Sequence, residues 1–401
     1  VVAMTGTTTL APVSAPLPAS NHPLNPDWPA QVAPINGVQK FTGLLAVYDH
    51  DGNFVALSAS GAYTINWGDG GTENIATGVA AQRNISYASV GGTIVGASSA
   101  VAVTLTDAGD LVTRTAHGFQ NGQRLNFAAV TGTTGVVANT TYFVVAQTAN
   151  TFQVSATAGG AALALTTNGS GTVYVPQYKV AIVTVTPQAA NNLTAFSLQV
   201  RHNQAGLSNY ATPWLSVAIN GSLLTTVTLS PDSPATSLPL LAEALIGENA
   251  ITSYFAMFYE CFSLQIVRLA NTAAGTTFGF MFYSCRALQS VPLLNTGAGT
   301  DFSGMFQLCS ALQSVPLLNA AACNGMNAIF LGVTSLSVGA LAGTTRSINY
   351  SSCKLSATQL DAIYTALGTA FGAQTITVTG NYGTTGHTPS IATAKGWTVT
   401  G

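Results

Sequence analysis

The sequence predicts a mainly β, multidomain chain that ends in a short repeat solenoid with a C-terminal α/β cap. Three observations predict this fold class. A 24-residue unit recurs between residues 253 and 340. Upstream of it, short runs of alternating apolar residues are separated by turns rich in Gly, Asp and Asn, which is typical of β-strands. Charged residues make up only 6% of the 401 residues, against roughly 25% in ordinary soluble domains.

Residues 1–36 are predicted to form an extended arm. Seven prolines lie between Pro12 and Pro34, which is too many for a helix, and the apolar residues are too few for a core. The arm either docks on a neighbouring subunit, which we favour, or serves as a disordered linker. No Lys/Arg-led apolar segment indicates a secretory signal.

Residues 37–92 carry strand patterns, and the run at 63–71 reads YTINWGDGG. This run resembles the W-G-D-G hallmark of the PKD-type immunoglobulin-like sandwich. The resemblance implies a core position for Trp67 and a turn position for Asp69. The final, Tyr-containing strand of that family is matched only at residues 178–186. The resemblance therefore assigns residues 37–92 plus 177–187 to one sandwich.

Residues 93–176 are predicted to form a small β domain inserted in that sandwich. The run from His117 to Phe127 reads HGFQNGQRLNF. It resembles a module common in phage tail and fibre proteins, with the pattern H-G-F-x-x-G-x-x-V-x-F and Leu125 where Val is usual. Insertion at a hairpin tip is tolerated because the two ends lie close together. At its strand–turn junction, His117 is expected to bond the backbone.

Residues 188–240 are expected to form a further β sandwich or a stalk, after which the repeats begin. Each repeat carries Leu, Val, Cys and Asn at fixed positions, and a period of about 20–29 residues with such offsets is the signature of a leucine-rich solenoid. We expect the cysteines to be buried and reduced, with a disulfide as the lesser alternative. We expect the asparagines to point inward and form a hydrogen-bond ladder. The two columns are Cys261, Cys285 and Cys309, and Asn271, Asn295 and Asn319.

The strand of each repeat also predicts an interaction surface. Alternation in the second repeat is expected to turn Val291, Leu293 and Asn295 to the core and the residues between them outward. Exposed contiguous apolar patches usually mark interaction sites. The predicted surface consists of outward residues from three repeats: Arg268, Pro292, Leu294, Pro316 and Leu318. The alternative is that another segment of the same chain covers this patch.

The repeats, assigned to residues 241–345, resemble the BspA-type leucine-rich repeats of bacterial surface proteins and some phage proteins. Their pattern runs M-F-x-x-C-x-x-L-x-x-V-P-x-L-N-T. The second and third copies match nearly throughout, whereas the first has Arg268 in place of Pro. The fourth copy, around Ile329-Phe330, is degraded, as a terminal capping repeat should be.

Residues 346–401 look like the C-terminal cap of such proteins. An amphipathic helix is predicted over residues 355–367, with Ser356 as its N-cap. Two strands are expected to follow, at 376–380 and 391–397, and to close the stack.

Several chemistries lack a sequence signal. No apolar run approaches the ~18–20 residues needed to cross a bilayer, and a net charge of −2 offers no basic stripe for nucleic acid. No nucleophile elbow, Walker loop or dinucleotide fingerprint is present. The five histidines are scattered over separate modules. We therefore expect no catalytic residue, no cofactor and no metal site.

These features together favour an assembly component, because weakly charged β chains tend to associate. The resemblances imply a non-enzymatic structural and binding protein on the surface of a tailed-phage virion, either a head decoration or fibre or a tail fibre. Its expected partners are other virion proteins, further copies of itself, with a trimer as one option, and a host-surface receptor or glycan. The alternative is a secreted bacterial surface adhesin or filament subunit, located at the cell surface.

Overall fold

The computed structural model describes residues 24–401, apart from 26, 49–52, 93, 96–99, 120, 122, 157–159, 190–191, 199, 205–206, 211–212 and 231–237. The chain is 34% strand and 6% helix, arranged in several sheets. The predicted mainly β class is therefore confirmed.

A seven-stranded mixed sheet forms the centre of the molecule. In spatial order its strands are β19 (Ile266–Leu269), β18 (Glu243–Ile246), β16 (Trp214–Asn220), β1 (Lys40–Tyr48), β12 (Tyr178–Pro187), β3 (Tyr63–Asn66) and β4 (Thr72–Ile75). Strands β1 and β12 pair antiparallel from Phe41↔Val185 to Tyr48↔Tyr178. Strands β16, β18 and β19 pair in parallel. The sheet therefore continues without a break from the N-terminal part of the chain into the first repeat.

A four-stranded sheet packs against this large sheet. Its strands are β17 (Thr226–Thr228), β13 (Ala195–Ser197), β2 (Phe54–Ala59) and β5 (Ala80–Asn84). The Phe41 ring of β1 stacks on Phe196 of β13 with centroids 4.4 Å apart, and it meets Trp214 of β16 edge-on at 5.6 Å. We call the two packed sheets the two-sheet body.

The prediction that residues 188–240 form a separate sandwich or stalk is wrong. Strands β13 and β17 lie in the four-stranded sheet, and β16 pairs with β1 in the large sheet. Every residue of β16 is buried. A strand with neighbours on both edges and cover on both faces buries both sets of side chains. This segment therefore completes the two-sheet body. The predicted joint at 230–239 lies mostly outside the described residues.

A closed six-stranded barrel lies between β5 and β12. In spatial order it contains β10 (Thr151–Ser155), β7 (Leu111–Thr113), β6 (Val101–Thr106), β11 (Gly169–Tyr174), β8 (Arg124–Thr131) and β9 (Thr141–Val145). Its own buried core includes Leu105, Phe127 and Phe152. Where the chain passes between barrel and two-sheet body, Val95 and Tyr178 form an antiparallel bridge. A small hairpin of β14 (Arg201–Gln204) and β15 (Leu207–Tyr210) follows later.

The described part of the predicted arm packs on its own chain. The Trp28 indole N–H donates to the Tyr178 hydroxyl at 2.8 Å, and the Asn220 amide donates to the Ile35 carbonyl at 3.0 Å. Trp28 covers the outer face of the large sheet, which is apolar at Leu44 and Leu215. Residues 27–36 therefore pack on their own chain, and docking of the arm on a neighbouring subunit stays a prediction. Residues 1–23 lie outside the described part of the chain.

The repeats form a stack of turns. Parallel bridges link positions one repeat apart, in the series Ser253↔Thr277↔Asp301↔Gly325 and Ser290↔Ser314↔Val338. Inside the stack, the rings of Phe258, Phe282, Phe306 and Phe330 lie on one another with centroids 5.4–5.8 Å apart. Between β19 and the cap, the stack contains two strands of two residues each, β20 (Leu318–Asn319) and β21 (Leu341–Ala342).

The C-terminal cap combines a helix with a parallel sheet. Helix α1 (Ala357–Ala366) begins after Ser356, whose hydroxyl accepts the Gln359 N–H at 3.3 Å, so the predicted N-cap is confirmed. The sheet contains β22 (Ile348–Asn349), β23 (Gln374–Thr377) and β24 (Trp397–Thr400). The strand predicted at 391–397 is wrong, since Ser390–Thr393 forms the short helix α2. Pro389 explains the difference, because its fixed φ suits the start of a helix.

Candidate functional site

The outward side of the repeat strands is the candidate interaction surface, but different leucines form it. Leu293 is 60% exposed and Leu317 is 56% exposed. Leu294 and Leu318, which the sequence placed outside, are buried at 3% and 0% exposure. The prediction of these two outward leucines is wrong. We call Pro292, Leu293, Pro316 and Leu317 the leucine strip.

Proline explains why the alternation shifts. In the first repeat, which has Arg268 in place of proline, β19 is regular, with Val267 and Leu269 buried and Arg268 exposed. Proline lacks an N–H group and fixes φ, so Val291-Pro292 cannot continue as a regular strand. As a result Val291 and Leu294 both point inward, with half-buried Pro292 and exposed Leu293 between them.

The asparagine column faces outward, so the predicted inward ladder is wrong. Asn271, Asn295 and Asn319 are exposed. Each side-chain oxygen accepts the N–H of the residue two positions on, at 3.0, 3.4 and 3.1 Å. These bonds form local Asx turns, a common role of Asn. Their role is structural, as expected, and these three bonds are local to each repeat; the Asn271 amide also donates to the Asn249 carbonyl at 3.5 Å.

Threonines, and not the predicted asparagines, form a buried hydrogen-bond ladder between repeats. The Thr272 hydroxyl donates to the Asn295 carbonyl at 3.0 Å, and the Thr296 hydroxyl donates to the Asn319 carbonyl at 2.9 Å. Both threonines are buried. The sequence feature that could have predicted this ladder is the Thr that directly follows Asn in the first two repeats.

The cysteine column lies in the centre of the stack, as predicted. Cys261, Cys285 and Cys309 are fully buried free thiols. The Cys285 thiol donates to the Phe258 carbonyl at 3.1 Å, and the Cys309 thiol donates to the Phe282 carbonyl at 2.9 Å. Burial raises the pKa of Cys261 and of Cys309 to about 12. These thiols therefore stay protonated at neutral pH.

Trp67 and Asp69 occupy the predicted core and turn positions. Trp67 is fully buried, and its indole N–H donates to Glu73 Oε1 at 2.9 Å. Asp69 accepts the Gly71 N–H at 2.9 Å and the Arg83 Nε–H at 2.7 Å. The bond to Asp69 raises the pKa of Arg83. This network ties β5 to the turn between β3 and β4.

Two histidines, His117 and His387, make structural bonds. His117 Nδ1 accepts the Phe119 N–H at 3.0 Å, so the predicted backbone bond is confirmed. His387 Nδ1 lies 2.6 Å from the Tyr364 hydroxyl. Within the described ranges, no group of three or more His, Cys, Asp or Glu residues could hold a metal ion.

A cleft of about 470 Å³ adjoins the leucine strip. Its lining includes Arg268, Leu293 and Asn271 from the repeats, and Pro34 from the arm. Arg268 is exposed and has no carboxylate partner among the residues that the structure describes. Of the five predicted surface residues, Arg268 is exposed, Pro292 and Pro316 are half-buried, and Leu294 and Leu318 are buried.

No helix in the described part of the chain is both long enough and apolar enough to cross a bilayer. No protein-family model matches the chain, and no curated protein matches it at a significant level.

Proposed function

We propose that this chain is a non-enzymatic structural and binding protein on the surface of a tailed-phage virion, as a head decoration or fibre or as a tail fibre. The sequence resemblances support it. In this proposal the two-sheet body is a PKD-like immunoglobulin-type sandwich, the barrel is a fibre-type module and the repeat stack is of the BspA leucine-rich type. Other virion proteins, further copies of the chain and a host receptor are the proposed partners.

The leucine strip is the observation that carries the binding function. Two leucines in adjacent repeats are each more than half exposed. Their neighbours Pro292 and Pro316 cannot donate a backbone hydrogen bond, which limits unwanted strand pairing at this face. Arg268, which has no carboxylate partner among the described residues, lies at one end. An exposed apolar strip that is flanked by prolines and by one positive charge suits a specific protein contact.

Changing Leu293 and Leu317 to Asp together should leave the protein folded and abolish its assembly or attachment. Both side chains lie largely in solvent, so the melting temperature should stay within a few degrees of the parent's. The readouts are sedimentation of the purified protein and binding of particles to host cells. Leu331→Asp is the matched control, because Leu331 is 51% exposed but lies outside the strip. A double variant that assembles and attaches like the parent would rule out the strip.

The location is tested by immunogold electron microscopy with antibodies against the chain. Labelling of tailed particles is expected. Labelling of bacterial cell surfaces in the absence of particles would instead support the surface adhesin.

A further inference from the structure

A second cleft, of about 600 Å³, lies between the barrel and one flank of the repeat stack. Its volume falls within the roughly 300–1,000 Å³ of ordinary small-ligand sites. Asn121 and Gln147 line it from the barrel, and Gln265, Gln289 and Arg286 line it from the repeats. We call it the glutamine cleft. It is separate from the leucine strip and from the cleft of about 470 Å³ that Arg268 lines.

Small residues at one position of three successive repeats open this cleft. They are Ser263, Ala287 and Ala311. The backbone beside them is already satisfied between repeats, since the Ala287 N–H donates to the Phe262 carbonyl at 3.2 Å and the Gln265 N–H donates to the Ala242 carbonyl at 2.9 Å. These two N–H groups are therefore already used, and the side chains that line the cleft are the candidate ligand contacts.

Most of the described side chains that line the cleft are polar, and those of the two glutamines from the repeats are free of hydrogen bonds to described residues. Gln265 and Gln289 are exposed, and their amides make no hydrogen bond to any residue in the described ranges. Arg286 lies 5.3 Å from the centroid of the Phe262 ring, and its Nε donates to the Ser284 hydroxyl at 3.2 Å. Its two terminal nitrogens make no hydrogen bond to a residue in the described chain, and its positive charge favours the ionised form of the Glu260 carboxyl. Amides both donate and accept, and the guanidinium donates.

This chemistry excludes most ligand classes. An extended peptide needs pockets for alternate side chains, whereas small Ala and Ser residues and Phe262, which is 9% exposed, lie between the polar side chains here. Nucleic acid needs several cations to neutralise phosphates, and Arg286 is the one cation among the described residues that line the cleft. A lipid needs a continuous apolar wall, which rows of Gln and Asn do not give. A polyhydroxylated molecule matches the mixed donors and acceptors.

We infer that the glutamine cleft binds an oligosaccharide through Gln265, Gln289 and Arg286. The inference rests on the proposed surface-binding function and deepens it by naming the ligand class. Because Gln265 and Gln289 occupy the same position in adjacent repeats, their amides are spaced by one repeat. Hydroxyl groups on neighbouring sugar units can therefore meet successive amides.

The test is the retention of the purified full-length chain on immobilised neutral, N-acetylated and uronic-acid trisaccharides. The parent should bind at least one class. The double variant Gln265→Ala with Gln289→Ala should weaken that binding at least about tenfold, because two amides lose their hydrogen bonds. Gln313→Ala is the matched control, since Gln313 is the exposed residue one repeat further on and lies outside the lining. It should bind like the parent.

Two outcomes would overturn the inference: retention of the parent on none of the three classes, or equal retention of the double variant and the parent. An unchanged melting temperature for both variants separates lost binding from lost folding. The proposed function fails differently, through absence of the chain from tailed particles, so the two failures are distinguishable.

Discussion

The cysteine column couples residue-scale burial to the pH dependence of stability. A thiol whose pKa is raised in the folded state contributes stability that is complete below its unfolded value, about 9. That stability is lost as the pH rises toward the folded value of about 12 for Cys261 and Cys309. The loss is about 1.4 kcal/mol per pH unit for each thiol.

We therefore expect the free energy of unfolding to fall between pH 9 and 11 more steeply in the parent than in a triple Cys→Ala variant. Buried tyrosines such as Tyr254 have a raised pKa as well, but they are present in both proteins. The measurement is urea denaturation at pH 7, 9, 10 and 11. Parallel pH profiles for the two proteins would show that the thiols are not the titrating groups.

The threonine ladder gives a second expectation for a single residue. The Thr272 hydroxyl donates to the Asn295 carbonyl and accepts the Asn295 N–H at 2.7 Å. Thr272→Val leaves both backbone groups without this partner, at a cost of about 1–3 kcal/mol. The control is Thr276→Val, whose exposed hydroxyl donates to the Thr252 carbonyl at 3.1 Å. That change should cost less than about 0.5 kcal/mol. Equal costs in urea denaturation would argue against the ladder.

Residue columns could be predicted from the sequence, but their direction could not. A fixed period places the same position of each repeat in one column, which is why the buried cysteines were identified. The direction of Leu293 and Leu294 depends on how Pro292 bends the local chain. A prediction from period-2 alternation assumes a regular strand. It therefore places Leu293 inside and Leu294 outside, the reverse of what is observed. The same assumption of a regular strand leads to the incorrect prediction that the asparagines point inward.

At the scale of elements, the barrel forms a closed body with its own core. Its strands pair only with one another in the described chain, and the chain leaves and rejoins the two-sheet body near the Val95–Tyr178 bridge. A charged contact between the two bodies is the Arg124 guanidinium, 4.5 Å from the centroid of the Tyr48 ring. Tyr48 is buried and Arg124 is half-buried, so this contact contributes between about 0.5 and about 2 kcal/mol.

Replacing residues 96–175 with a short Gly-rich turn should therefore leave a folded protein. We expect the melting temperature of the remainder to change by a few degrees, because the Val95–Tyr178 bridge is kept. Circular dichroism and calorimetry are the measurements. An insoluble product, or one without a cooperative transition, would show that the barrel is required by the two-sheet body.

The local elements also show where sequence signals are strong. Ser356 followed by an apolar periodic run is sufficient to locate helix α1. The run at 391–397 was ambiguous, since a segment of four helical residues is too short to show a helical period. Only Pro389, just before it, indicated the short helix.

At the scale of the whole molecule, one buried cluster extends from Phe41 to Trp397 through the two-sheet body, the repeat stack and the cap. The sequence analysis predicted separate domains here because the contacts that join them are between residues distant along the chain. Phe41 pairs with Ile219 in β16, and Glu243 of β18 pairs with Ile266 of β19. Local patterns identify each strand but carry no information on which distant strand becomes its neighbour.

The unbroken sheet from β16 to β19 also determines how this architecture can change in length. The first turns of the stack pair with the edge of the two-sheet body through β16, β18 and β19. Helix α1 and the cap sheet cover the other end of the stack. Both terminations stay the same whatever number of turns lies between them. Duplication or loss of one 24-residue unit would therefore shift the two ends relative to each other by one strand spacing, about 4.8 Å. Recombination between near-identical units could then lengthen or shorten the molecule in fixed steps without rebuilding either end.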